Sequence, residues 1–129
     1  MKITFFDRKF NPKEISIEKV FDQVRANLSE RKIPFTIIKN PYHFGLYQIV
    51  KGVVFFYKNK GNINHITGYI HWAIFLQDPN KTILTIHDIG RYWELSGFRR
   101  SIFYYLWVYL PMRKAKYVTA ISNKTKEDI

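Results

Sequence analysis

The sequence predicts an α/β fold with a Rossmann-like parallel sheet flanked by helices. Short runs rich in β-branched and aromatic residues alternate with segments of helical periodicity. Gly, Pro and Asn fall between these runs and not in one long linker. A length of 129 residues with 47% apolar content suits one domain with its own core.

Met1–Phe6 reads as a first strand, followed by a polar loop through Asn11 and Pro12. Ser16 then stands where a helix cap is wanted, ahead of Ile17, Val20, Phe21, Val24 and Leu28 at the spacing of one helix face. Pro34 opens the run Phe35-Thr36-Ile37-Ile38, closed by Asn40-Pro41 and composed like a buried strand. Residues 53–57 have strand-like composition, but Leu46, Ile49, Val50, Val53, Val54 and Tyr57 keep a helical period, which predicts a helix.

Asn62–Ile66 is expected as a third strand, Tyr69–Leu76 as a short helix and Thr82–Ile86 as a fourth strand that delivers His87 and Asp88. Phe98–Met112 reads as a helix stopped near Pro111, because proline disrupts the hydrogen bonding of the preceding turn. Tyr117–Ile121 is a fifth strand, and Ser122-Asn123 would cap a helix that has scarcely begun at Ile129. The domain is therefore expected to be incomplete at its C-terminal end.

Composition narrows the function classes. No cysteine is present, so neither a disulfide framework nor a thiolate metal site is expected. The N-terminus lacks the long apolar core of a signal peptide, and the apolar stretch 101–112 is shorter than the ~20 residues of a spanning helix. A cytoplasmic protein, at most peripheral on the inner membrane face, is the expectation. Twenty-one basic against ten acidic residues give a net charge of +11, which implies attraction to polyanions.

No His-x-x-x-His helix and no dense carboxylate set appears, so no metal site is predicted. A phosphate loop, a Gly-x-Gly-x-x-Gly turn after the first strand and a Gly-x-Ser-x-Gly elbow are also missing. The sequence therefore gives no support for an independent nucleotide hydrolase, a dehydrogenase or a serine hydrolase.

In parallel sheets ligands sit beyond the carboxyl ends of the strands, where His65, His87, Asp88 and Ser122 are expected to form a polar rim. Imidazole can donate a hydrogen bond or carry a proton near neutral pH, although a strand-end histidine is as often a structural hydrogen bonder. Gly68 would let a ligand or another backbone approach closely. His71 is assigned to packing, and His43 to a loop that could join the rim. Arg99, Arg100, Trp107, Arg113 and Lys114 mark a basic, aromatic segment; it reads as a core helix with basic ends or, less favoured, as a membrane-surface helix.

Read together, His65-Ile66-Thr67-Gly68, then Ile83–Ile89 with His87-Asp88, then Ala115–Ser122 with Thr125 and Asp128, resemble the N-terminal, acceptor-side domain of retaining GT-B glycosyltransferases of the family 4 type. The resemblance covers residues 62–129 well and the first half by rhythm only. It implies the N-terminal half of a GT-B fold, with His87 as the cleft histidine, Asp88 as its catalytic neighbour, and His65, Gly68 and Ser122 on the acceptor side. It further implies a glycan or lipid-linked acceptor, no tightly bound cofactor, and a nucleotide-sugar donor held mainly by a second, donor-binding domain or partner subunit. That half's paired glutamates have no counterpart in this chain. A small basic nucleic-acid-binding module is the alternative, disfavoured because the aromatic residues fall largely in expected core segments. An inactive truncated remnant is the third reading.

Overall fold

The computed structural model describes residues 2–9, 16–42, 45–68, 70–87 and 93–128. Five strands, β1 (Ile3–Asp7), β2 (Phe35–Lys39), β3 (Ile63–Ile66), β4 (Thr82–Ile86) and β5 (Tyr117–Ala120), form one sheet in the order β2-β1-β3-β4-β5. Every pairing is parallel, with Phe5 opposite both Ile37 and His65, Ile66 opposite Leu84 and Ile86 opposite Ala120. This is a Rossmann-like α/β fold, as the alternation of runs predicts.

Side chains alternate between the two faces of each strand, so register decides which residues share a core. Phe6, Ile66, Leu84 and Ile86 point to one face, where they meet Phe56 of helix α2 (Leu46–Lys58), Trp72 and Ile74 of a 3-10 segment (His71–Leu76), and Phe103, Trp107 and Val108. On the other face Phe5 packs against Ile17 and Phe21 of helix α1 (Ser16–Glu30).

Both helices face the sheet differently from the expected stripes. In α1, Ile17, Phe21 and Arg25 are buried, while Val20 and Val24 are 43% and 37% exposed. In α2 the inward residues are Ile49, Gly52, Val53 and Phe56, while Leu46, Val50 and Tyr57 are exposed. Gly52 explains the choice of face, because a Cβ there would collide with the Trp72 indole ring. The bulky alternatives stay outside.

The helix expected to stop near Pro111 continues through it. Helix α3, over residues 97–114, is α-helical at Gly97–Phe103, π-helical at Tyr104–Tyr109 and α-helical again at Leu110–Lys114. Its wider π turns are seen in the bond from Leu110 N–H to the carbonyl of Tyr105. The Trp107 carbonyl, whose α-helical donor would be the missing N–H of Pro111, accepts instead from Nδ1 of His71 at 2.6 Å. Helix α4 (Asn123–Asp128) follows β5, and the Ser122 hydroxyl accepts from the Thr125 N–H at 3.1 Å, the cap that the sequence predicts.

Candidate functional site

The strand order reverses direction between β1 and β3, with α1 and α2 on opposite faces of the sheet, and in such folds ligands bind at the carboxyl edge of this point. Asp7 ends β1 at this point, 7% exposed, and its Oδ1 accepts from Arg25 Nη2 at 2.6 Å and from the Thr67 hydroxyl at 2.7 Å. The Arg25 guanidinium lies 4.6 Å from the centre of the Phe5 ring. A buried carboxylate, a guanidinium and a hydroxyl therefore lock the ends of β1 and β3 to α1.

Arg8, one residue on, forms a forked pair with Glu18 at 3.0 and 3.1 Å. Burial pushes the Glu18 carboxyl up, but bonds from Arg8 and its own backbone N–H, with the charges of Arg8 and Lys39, hold it below the ordinary range. Gly68 lies against this pair, since a Cβ would come 3.3–3.4 Å from the aliphatic stem of Arg8. The neighbour of Gly68 here is thus a side chain and not another backbone.

His87 follows β4 and is buried. Its Nε2 lies 2.8 Å from the Thr67 carbonyl, and because a carbonyl only accepts, Nε2 carries the hydrogen. The edge of Phe21 meets the ring at a centroid distance of 5.6 Å, and the His87 carbonyl accepts from the Thr125 hydroxyl at 2.7 Å. Ser122, exposed after β5, shares a 3.0 Å hydroxyl contact with Thr125. His87, Thr67 and Ser122 are thus linked through two strand ends and the α4 cap. Asp88 and His43 lie outside the described residues.

His65 is not on the rim. It lies within β3, stacked 5.5 Å from Phe5 and met edge-on by Phe21 at 5.2 Å, with Nε2 at 2.7 Å from the Thr85 hydroxyl. Thr85 in turn contacts the Thr119 hydroxyl at 2.7 Å, so a polar ladder crosses β3, β4 and β5 on the α1 face. Burial, followed by the charges of Arg25 and His87, lowers the His65 pKa to about 4. The imidazole is neutral at pH 7, and its position in the layer is that of a structural group.

Trp107 is likewise buried, stacked on Phe103 at 5.3 Å, which corrects its placement at a membrane surface. The exposed large apolar residues of α3 are Phe98, Ile102, Tyr105 and Leu110, with Arg99, Arg113 and Lys114 also exposed and Arg100 partly covered and bonded to the Leu95 carbonyl at 2.8 Å. Among the described residues no helix is long and apolar enough to cross a membrane, and no cluster of three or more His, Asp or Glu could hold a metal ion.

The sequence gives Asp7 and Arg25 no role at the site, and it names Thr67 and Thr125 only within the motifs of the resemblance. A signal existed for Arg25, which continues the i, i+4 ladder of Ile17 and Phe21, but a charged residue is ordinarily placed on the outer face. Asp7 and Thr67 are joined across 60 residues by strand order alone.

The fold and this edge define the chain as a doubly wound parallel α/β protein with a polar cluster at its switch point. Comparison with protein-family models, with curated proteins and with solved structures gives no match.

Proposed function

We propose that the chain is the acceptor-binding half of a glycosyltransferase, working with a donor-binding domain that holds a nucleotide-sugar. The observation that carries the reading is His87, an imidazole fixed at the carboxyl end of β4 by its bond to the neighbouring strand end. The resemblance of residues 62–129 to retaining GT-B enzymes of the family 4 type supports the same assignment.

Transfer builds positive charge on the donor sugar and negative charge on the departing phosphate while an acceptor hydroxyl approaches. An imidazole whose orientation is set by the backbone can hold a hydroxyl in line without forming a covalent intermediate. Asp88 is its proposed neighbour, and Ser122 and Gly68 flank the acceptor path. His65 would act through Phe21 and the threonine ladder, as support for the site.

In the chain joined to its donor-binding half, His87→Ala is expected to lower kcat by about 10²-fold, the scale of losing a positioned polar group. Near-normal turnover by a folded variant would remove the chemical basis of the proposal.

A peripheral membrane position fits a lipid-linked acceptor. Exposed apolar residues of α2 (Leu46, Tyr47, Val50) and of α3 (Phe98, Tyr105) belong to helices packed on the same face of the sheet, with Lys51, Arg99 and Arg113 among them. Binding to anionic vesicles should exceed binding to neutral ones and weaken with salt. Equal binding to both would leave a glycan in solution as the acceptor.

A further inference from the structure

The His87 ring donates from Nε2 to the Thr67 carbonyl at 2.8 Å, and the tautomer and tilt of an imidazole follow the hydrogen bonds its nitrogens make. That carbonyl belongs to the peptide joining Thr67 to Gly68, just past the end of β3, where the Thr67 N–H is anchored to the Phe6 carbonyl at 3.1 Å. Whatever steadies this peptide also steadies the ring.

Both residues of the peptide are gripped by side chains from the end of β1, and each of these is held in turn by α1. On the Thr67 side the hydroxyl donates to Asp7 Oδ1 at 2.7 Å, and the same oxygen accepts from Arg25 Nη2 at 2.6 Å. On the Gly68 side the stem of Arg8 lies so close that a Cβ would come within 3.3–3.4 Å of it, and the Arg8 guanidinium is forked to Glu18. Glu18, Phe21 and Arg25 stand at i, i+3 and i+7, so they share one side of α1. Phe21, between the two ion pairs, meets the His87 ring edge-on at 5.6 Å.

Asp7, Arg25 and Thr67 are all buried. Replacing a buried ion pair by well-packed apolar residues is often neutral for stability, because desolvation offsets the attraction between the charges. Apolar residues here could pack the strand ends but could not aim the Thr67 hydroxyl, and with it the peptide that follows.

We propose that Asp7 and Arg8 are positioning residues for His87, Asp7 acting through the Thr67 hydroxyl and Arg8 through its contact with Gly68. Their part in sugar transfer rests on the glycosyltransferase reading; the orientation of the ring does not.

The test reads the His87 tautomer from long-range 1H–15N spectra of the 15N-labelled chain, with no sugar present and at a pH where the ring is neutral. Its result therefore stands whether or not the chain serves a glycosyltransferase. The wild-type ring should be a single Nε2–H tautomer. Thr67→Val keeps the shape and removes the hydroxyl; it should bring the two ring nitrogen shifts closer together as the tautomers mix, and Thr67→Ser should restore them. Gly68→Ala, at a residue outside the left-handed region, crowds the Arg8 stem and should move the ring shifts as well. Thr82→Val is the stability control, because it removes a buried hydroxyl bonded to the Asp78 carbonyl at the opposite end of β4, and it should leave the ring as in the wild type. A mixed tautomer in the wild type, unchanged ring shifts in Thr67→Val, or a change in Thr82→Val as large as in Thr67→Val would overturn the proposal. If Thr67→Val does not fold, Gly68→Ala decides, and an unchanged ring there overturns it.

Discussion

His71 donates from Nδ1 to the carbonyl of Trp107 at 2.6 Å, the oxygen that a regular α-helix would pair with position 111, where Pro111 has no N–H. Both groups are buried, so the bond ties the 3-10 segment to the π turn of α3 one turn before Pro111. The histidine makes a proline-containing helix compatible with the core.

Replacing His71 with Phe keeps volume and removes the donor. A loss of about 1–3 kcal/mol in urea unfolding is expected, the cost of an unsatisfied buried carbonyl. In a Pro111→Ala background the same replacement should cost less, since the restored N–H can serve that oxygen. Equal losses in both backgrounds would show that His71 acts by packing alone.

The Asp7–Arg25 pair predicts non-additivity. Arg25→Met leaves the Asp7 carboxylate buried with only the Thr67 hydroxyl of its two described side-chain donors, a change expected to cost about 3–5 kcal/mol. The double variant Asp7→Asn/Arg25→Met removes both charges and should be more stable than Arg25→Met alone. A double variant that loses the sum of the two single effects would contradict the coupling.

His65 gives the fold a defined acid sensitivity. The unfolded chain takes up a proton near pH 6.5, whereas the folded chain, held at about 4, does not, so stability falls as pH drops through that interval and levels off below it. The slope from this residue should approach about 1.4 kcal/mol per pH unit inside the window. His65→Gln keeps a polar partner for Thr85 and should abolish that part of the slope, read from urea midpoints at several pH values. An unchanged slope would place the titration elsewhere.

How much was legible in the sequence depends on the range of the physics involved. The five strands were readable because β-branched runs bounded by Pro, Asn and Gly carry their own signal. The Ser122 cap was equally local. The inward face of α1 departs from the apolar stripe because Arg25, a residue type at home on the surface, is buried by its pair with Asp7 on another element. Pro111 was read as a stop because the compensating donor, His71, lies 36 residues away. His65 was placed on the rim for a related reason: alternation fixes which residues share a face, but not whether the helix above covers them.

The central claim is that the carboxyl edge around His87 binds an acceptor. Chemical-shift mapping of the chain with oligosaccharides and with a lipid-linked sugar in detergent measures this directly. At least one acceptor should perturb the resonances of Thr67, Gly68, His87 and Ser122 together, with the effect lost in His87→Ala. Shifts confined to other surfaces with every acceptor, or a nucleic acid perturbing this edge instead, would contradict the account.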